Sequence, residues 1–322
     1  MRTLKVSDFD SPPAIMRGPL PEVPDNHILL RVRACGLNFA DLLMRSGRYQ
    51  DTPDLPFGLG MEVAGEVVDH GGGTSSLAPG TRVAAFCGSG GLADFVSVPR
   101  DAVVPIPDAM PDVHAAAFLV AYGTSHLALT HRARLQSDET LLVLGAAGGV
   151  GLTAVEIGKL LGARVIAAAR GPEKLEIAKK AGADHVIDVA TADVKAEVRA
   201  LGGADVVYDP VGGPLFEAAL RSTNPDGRIL AIGFASGTVP KIPANIILVK
   251  NISVIGFYWG GYRRFNGAAM AESIAALFGF YEEGRLKPHV SATYPLDEAL
   301  QALDLLESRK STGKIVVTTE DD

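Results

Sequence analysis

Cysteine is nearly absent from this chain: Cys35 and Cys87 are its two thiols. That excludes a disulfide scaffold and a zinc lobe built from four thiolates, and a reducing, cytoplasmic setting is expected. Each cysteine reads as a small buried apolar residue. Long hydrophobic runs are also missing. The longest, residues 141–155, contains four glycines and stops at Glu156, short of the ~20 residues that cross a bilayer. The opening residues, from Met1 and Arg2 to Asp8 and Asp10, lack the charged, apolar, small-residue order of a secretory signal, so export is not expected. Nor is there a strong charge of one sign. Thirty basic against 37 acidic residues give −7, which offers no general attraction to nucleic acid or to anionic membranes. No fixed-period repeat or low-complexity tract is found.

What is present suits a folded enzyme. The 322 residues are about twice the rough 150-residue domain prior, so two domains are expected. With 47% hydrophobic and 21% charged residues, a sizeable core is feasible. The first hundred residues read as β-rich, with apolar runs at 27–34, 63–68 and 81–86 between Gly- and Pro-containing loops. From about residue 120 strands alternate with helical segments, the pattern of crossover units on a parallel sheet. Strands are predicted at 140–144, 164–169, 185–188, 205–208, 228–232 and 252–257. Val150, Ala154, Ile157 and Leu161 recur at helical spacing, marking one face that covers the sheet. Helices are predicted at 268–283 and 296–309 and a last strand at 314–318. This tail is too small to be a domain alone and is expected to pack back on the N-terminal part.

The sharpest motif is Gly-Ala-Ala-Gly-Gly-Val-Gly at 145–151, where the first of these strands hands over to a helix. Glycine lets the backbone turn tightly and approach a pyrophosphate, whose charge is met by unpaired N–H groups and the helix dipole. Ala147, Gly148, Gly149, Val150 and Gly151 are therefore the candidate pyrophosphate cradle. Ala146 takes the first glycine position, giving A-x-G-x-x-G. At the end of the second strand an NAD-preferring site would place an acid for the ribose hydroxyls. This chain has Ala169 and then Arg170, with Lys174 nearby; both suit a 2′-phosphate, so NADPH is preferred as cofactor. The competing reading of these two cations is solvated surface charge. Other chemistries find little support. The seven histidines lack H-E-x-x-H spacing, Ser89 lacks a nucleophile elbow, and Gly313-Lys314 lacks the rest of a P-loop.

Further motifs extend along the whole chain: Cys35-Gly36-Leu37-Asn38-Phe39-Ala40-Asp41, Gly47-Arg48-Tyr49, Gly60-Met61-Glu62, Tyr122-Gly123-Thr124, Asp209-Pro210-Val211-Gly212-Gly213 and Gly313-Lys314-Ile315-Val316. With the glycine turn, these resemble the medium-chain dehydrogenase/reductase superfamily, in its zinc-free quinone oxidoreductase branch that includes zeta-crystallin. The resemblance implies an α/β fold in which a GroES-like β-rich catalytic domain, residues 1–119 and 265–322, is interrupted by a doubly wound Rossmann domain, residues 120–264. It also implies an active site in the interdomain cleft, and a homodimer joined at the Rossmann sheet edge through the strand at 252–257. In metal-dependent relatives a Cys in the segment matching residues 36–41, and a His just before the Glu matching Glu62, hold zinc. Asn38 and Met61 stand there in this chain and offer neither thiolate nor imidazole. A metal-free site is therefore expected.

Without a Lewis acid the acceptor must take hydride unaided, which quinones and activated alkenes do because hydrogen-bond donors stabilise the developing oxyanion. The resemblance makes Asn38 and Tyr49 the candidate donors and puts Thr124 near the nicotinamide. The competing readings are a turn cap, a loop aromatic and a backbone-bonded helix residue. Asp41 is expected to orient its neighbours. Gly233, Phe234 and Ser236 follow the fifth strand and Phe257 ends the sixth, where loops at carboxyl strand ends form the ligand crevice. The alternative for Phe257 is a core or subunit-interface aromatic. Lys314 is read as a solvated side chain in preference to a cofactor contact. The expected activity is hydride transfer from NADPH to a quinone. Rivals are an enone, alkenal or enoyl-thioester reductase, and a cofactor-binding protein without turnover.

Overall fold

The computed structural model describes residues 1–72 and 77–319. The chain divides into two compact units, Met1–Val120 with Pro288–Asp322, and Ala121–Lys287.

The second unit is built on six strands, all parallel, in the spatial order His185–Asp188, Arg164–Ala169, Thr140–Leu144, Ala204–Asp209, Thr223–Ala231, Ser253–Gly256. This is the doubly wound Rossmann arrangement. The central strand, Thr-Leu-Leu-Val-Leu, has no polar alternation because helices bury both of its faces. Helix Gly149–Leu160 turns Ala154 and Ile157 into the core, as their spacing requires. Helix Pro172–Lys180 starts with Pro at its first position, where the missing N–H costs nothing. Asp193 caps helix Val194–Ala200 by accepting the N–H of Ala196 at 3.0 Å. The predicted strands fall close to the observed ones, the fifth starting earlier at Thr223.

The first unit holds a seven-stranded sheet. Along its main path the order is Val290–Pro295, Lys314–Thr318, His27–Gly36, Glu62–His70, Arg82–Phe86, Val103–Pro105, and Phe95–Pro99 also pairs with His27–Gly36. A three-stranded sheet of Ala14–Arg17, Arg2–Val6 and Phe57–Gly58 completes it. The tail does return to the N-terminal part: Val316, Val317 and Thr318 pair antiparallel with Gly36, Cys35 and Ala34. Helix Ala299–Glu307 buries Ala299, Ala302 and Leu303 in the same core as Leu4, Leu30 and Val63. The division after residue 264 differs from the expected one. Helices Trp259–Phe265 and Gly267–Glu282 belong to the second unit, where His126 Nδ1 lies 2.8 Å from Ser273 Oγ, and the tail joins the first unit from Pro288 onward. Helical periodicity marks an apolar face at 268–283 but does not say which core that face covers.

Leu303 is fully buried, so Leu303→Ala is expected to destabilise the first unit by about 2–5 kcal/mol, read as a lower urea midpoint. A loss below about 1 kcal/mol would show that the tail helix is not part of this core.

Candidate active site

Parallel register puts every carboxyl strand end of the second unit on one edge. Leu144 pairs with Ala168, Ala169 with Asp188, Asp209 with Ala231, and Ala231 with Gly256. Strand order reverses between Thr140–Leu144 and Ala204–Asp209, and ligands bind such sheets at this switch point. The glycine turn emerges there. Gly145 adopts φ +61°, which a side chain would strain, so the turning glycine is one residue earlier than the A-x-G-x-x-G reading implied. Ala146 is buried and donates its N–H to Ala168 O at 3.1 Å, tying the turn to the second strand.

A Cβ on Gly151 would lie 2.1 Å from Gly145 O, so the helix can approach the strand only because that position is glycine. Ala147 is buried beneath the turn, Gly148 is the exposed N-cap, and Gly149 and Val150 open the helix. The N–H groups of this first turn have no partner within the helix and sit at its positive end. Beneath them Ser125 Oγ donates to Val150 O at 2.9 Å and lies 3.0 Å from the buried Tyr208 hydroxyl, which fixes where the helix begins.

The other nucleotide candidates line the same edge. Arg170 is exposed just past the second strand, and Lys174 is half-buried on the first turn of the next helix. The Lys174 ammonium is pushed down in pKa by burial first and then by the Arg170 charge. Asp209 Oδ1 accepts N–H from Val211 and Gly212 at 2.7 and 2.8 Å; burial pushes its pKa up and these two donors oppose the shift. The loop of Gly233, Phe234 and Ser236 lies against that turn, with Gly233 N–H to Asp209 O at 3.3 Å and Ser236 N–H to Val211 O at 2.8 Å. Phe234 is exposed. Phe257 is buried at the sixth strand end, its ring 5.4 Å from Tyr262. Thr124 is also in this unit, buried on helix Leu119–Leu127.

The first unit, taken by itself, holds a buried polar cluster. Lys314 is not solvated as expected. It is 5% exposed, and its ammonium donates to Leu37 O at 2.6 Å, Asn38 Oδ1 at 2.7 Å and Glu62 Oε1 at 2.7 Å. Glu62, 1% exposed, also accepts Asn38 Nδ2 at 2.9 Å and, on its other oxygen, Val120 N–H at 2.9 Å. The Asn38 amide spends its hydrogens inside the protein, on Glu62 and on Gly36 O at 3.2 Å. Asp41 orients neighbours as expected, accepting the N–H of Asn38 at 2.8 Å and of Gly60 at 3.1 Å.

Tyr49 follows helix Phe39–Arg45 and packs, half-buried, against the apolar core. Cys35 is buried, and burial pushes the pKa of both thiols up. Met61 is buried, and among the described residues no three His, Cys, Asp or Glu side chains gather in a way that could hold a metal ion. Sequence reasoning named neither Glu62 nor Lys314 as a site residue. The signal was a lone acid and a lone lysine on two strands far apart in the chain, and pairing them needs the sheet register.

A family model of the zinc-binding dehydrogenases matches residues 149–275, and one of the alcohol dehydrogenase GroES-like domain matches residues 24–108. Quinone oxidoreductase-like protein 2 homolog of Nematostella vectensis is 40% identical over 92% of this chain and 82% of its own. The human synaptic vesicle membrane protein VAT-1 homolog is 33% identical over 90% of this chain and 78% of its own. Among solved structures, the quinone oxidoreductase of Thermus thermophilus, also solved as a complex with NADPH, superposes with TM-score 0.88 at 35% identity, covering 99% of this chain and 100% of that one. The Escherichia coli quinone oxidoreductase complexed with NADPH gives TM-score 0.92 at 29% identity, with 99% and 100% covered. Among the described residues no helix is long and apolar enough to cross a membrane.

Burial holds the Asp41 carboxyl at a pKa of about 6, against an ordinary 3.8, despite the two N–H donors and Lys314. Between those values the folded protein keeps a proton that the unfolded chain has released. The contribution of Asp41 to stability therefore falls as pH rises from about 4 to about 6. Asp41→Asn removes this titration while keeping an acceptor. The wild-type minus variant unfolding free energy, from urea denaturation, should drop by about 1–3 kcal/mol between pH 4 and 7; a pH-independent difference would refute the shift.

Proposed function

The chain belongs to the medium-chain dehydrogenase/reductase superfamily, in its zinc-free quinone oxidoreductase branch, and from that premise we propose that it transfers hydride from NADPH to a quinone without zinc. The observation that carries the reading is the glycine turn at the sheet's switch point followed by the Arg170 and Lys174 pair. The turn suits a dinucleotide pyrophosphate: a Cβ at Gly151 would fill the space the backbone uses, and the N–H groups of Gly149 and Val150, at the positive helix end, would meet the anion. The two cations suit a 2′-phosphate. When bound, NADPH supplies the hydride from its nicotinamide. Thr124, Gly233, Phe234, Ser236 and Phe257 are the further nucleotide contacts of this proposal.

The acceptor's carbonyl needs donors. Asn38 and Tyr49 are proposed for that role, and the cluster says how Asn38 would fill it. Lys314, 2.7 Å from Asn38 Oδ1, polarises the amide and makes its hydrogens better donors. The bond to Gly36 O, at 3.2 Å the longer of the two, is the one an acceptor oxygen would take over. Glu62 is neutralised by Lys314 and so does not oppose negative charge developing on the acceptor.

A homodimer is part of the proposal. Strand Ser253–Gly256 is an edge strand with one neighbour, and helix Ala244–Lys250 beside it exposes Leu248 and Val249 at 77% and 78%. A second copy pairing along that edge would cover both.

Gly151→Ala is expected to weaken NADPH binding about tenfold or more, measured by nucleotide fluorescence titration, because the added methyl pushes the helix off the strand; unchanged affinity would remove the turn from the cofactor site. Asn38→Ala is expected to lower benzoquinone turnover about tenfold or more while NADPH affinity stays. Running a benzoquinone, an alkenal and a short enoyl-CoA in parallel ranks the acceptors. Faster NADPH oxidation with either of the last two would replace the quinone reading by the alkene one. Binding with no oxidation on the whole panel would mark a cofactor-binding protein without turnover.

A further inference from the structure

The edge that carries Arg170 and Lys174 also carries a carboxylate that an NADPH site would not call for. Asp188 ends the strand beside the Arg170 strand, and its Cα partner in the sheet is Ala169, the residue before Arg170. Its Oδ1 turns toward that strand end and accepts the N–H of Gly171 at 3.0 Å, as well as that of Ala190 at 2.9 Å. Asp188 is thus bonded to the residue that follows Arg170 and precedes helix Pro172–Lys180. These two N–H donors, and beyond them the Arg170 charge, hold its carboxyl below the usual range, so at neutral pH a full negative charge stands beside Arg170. Glu173, next to Lys174 on the first turn of helix Pro172–Lys180, is a further acid here.

The two parts of this arrangement act in opposite directions. As an acceptor, Asp188 fixes the turn that presents Arg170. As a charge, it offsets Arg170 and repels a phosphate monoester, which carries about 1.5 to 2 negative charges, while leaving a ribose hydroxyl untouched. Resting on the proposal that Arg170 and Lys174 receive the 2′-phosphate, we infer that Asp188 sets cofactor selectivity: it holds the turn that presents Arg170, and its charge keeps the preference for a 2′-phosphorylated nucleotide over an unphosphorylated one weaker than the two cations alone would give. Neutralising Asp188 without losing its acceptor oxygen separates the two roles, and Asn does both.

The test titrates the full-length protein with NADPH and with NADH, following nucleotide fluorescence, for wild type, Asp188→Asn and Arg170→Ala. Asp188→Asn is expected to bind NADPH about three- to tenfold more tightly and NADH within about twofold of wild type. The NADPH gain should shrink as NaCl is raised from about 20 mM to about 500 mM, because screening acts on a charge effect and not on a packing effect. Unchanged NADPH affinity in Asp188→Asn, or weaker binding of both nucleotides, would overturn the inference while leaving the phosphate site standing, provided Arg170→Ala loses NADPH affinity and keeps NADH affinity. If instead Arg170→Ala binds both nucleotides as wild type does, the phosphate-site reading itself falls and the inference with it.

Discussion

A lysine ammonium and a carboxylate 252 positions apart in the chain meet at 2.7 Å in the interior of the first unit, and much of that unit is arranged around them. Neither charge is tolerable there alone, since removing one partner of a buried pair leaves an uncompensated charge costing about 3–5 kcal/mol. The pair is satisfied in full. Lys314 uses its three hydrogens on Leu37 O, Asn38 Oδ1 and Glu62 Oε1, and the second Glu62 oxygen takes the N–H of Val120. Satisfying it requires the last strand to lie beside His27–Gly36 and the strand Glu62–His70 to lie on that strand's other side. The same bonds fix the Asn38 amide, so the closure of the sheet and the placing of the proposed acceptor donor are one event.

In the second unit the corresponding constraint is steric. The helix after the first strand can close on Gly145 because residue 151 has no Cβ to meet that carbonyl. That approach sets the first-turn N–H groups at the switch point of the sheet, and Ser125 holds them from below through Val150 O. Around this fixed point the edge is graded in charge. Two cations follow the second strand, a carboxylate ends the third, and the buried Asp209 is consumed by the turn it organises. Asp209 is held by two N–H donors of its own turn while Arg170 is exposed just past its strand, which separates the two although both stand at strand ends.

The strands and the glycine turn could be read from the chain because their causes are local. A strand buried on both faces shows as an unbroken apolar run, as at Thr140–Leu144, and a backbone that must turn with φ above zero shows as glycine. The side chains around Asn38 were less legible. Lys314 reads as a tail lysine, and nothing within several residues of it names Glu62. The helix Gly267–Glu282 posed the same difficulty, since an apolar stripe announces burial without naming its partner.

Short-range residue patterns therefore carried the α/β class, the sites of the six parallel strands, the place of the glycine turn and the lack of thiolate and imidazole at Asn38 and Met61, since each is written in residue types within a few positions of one another. The folded chain was needed to bury Lys314 against Glu62 and Asn38, to assign Gly267–Glu282 to the second unit, and to stand Asp188 beside Arg170. Those facts depend on sheet register, which brings together residues far apart in the chain and is set by the summed burial of whole strands rather than by any local pattern.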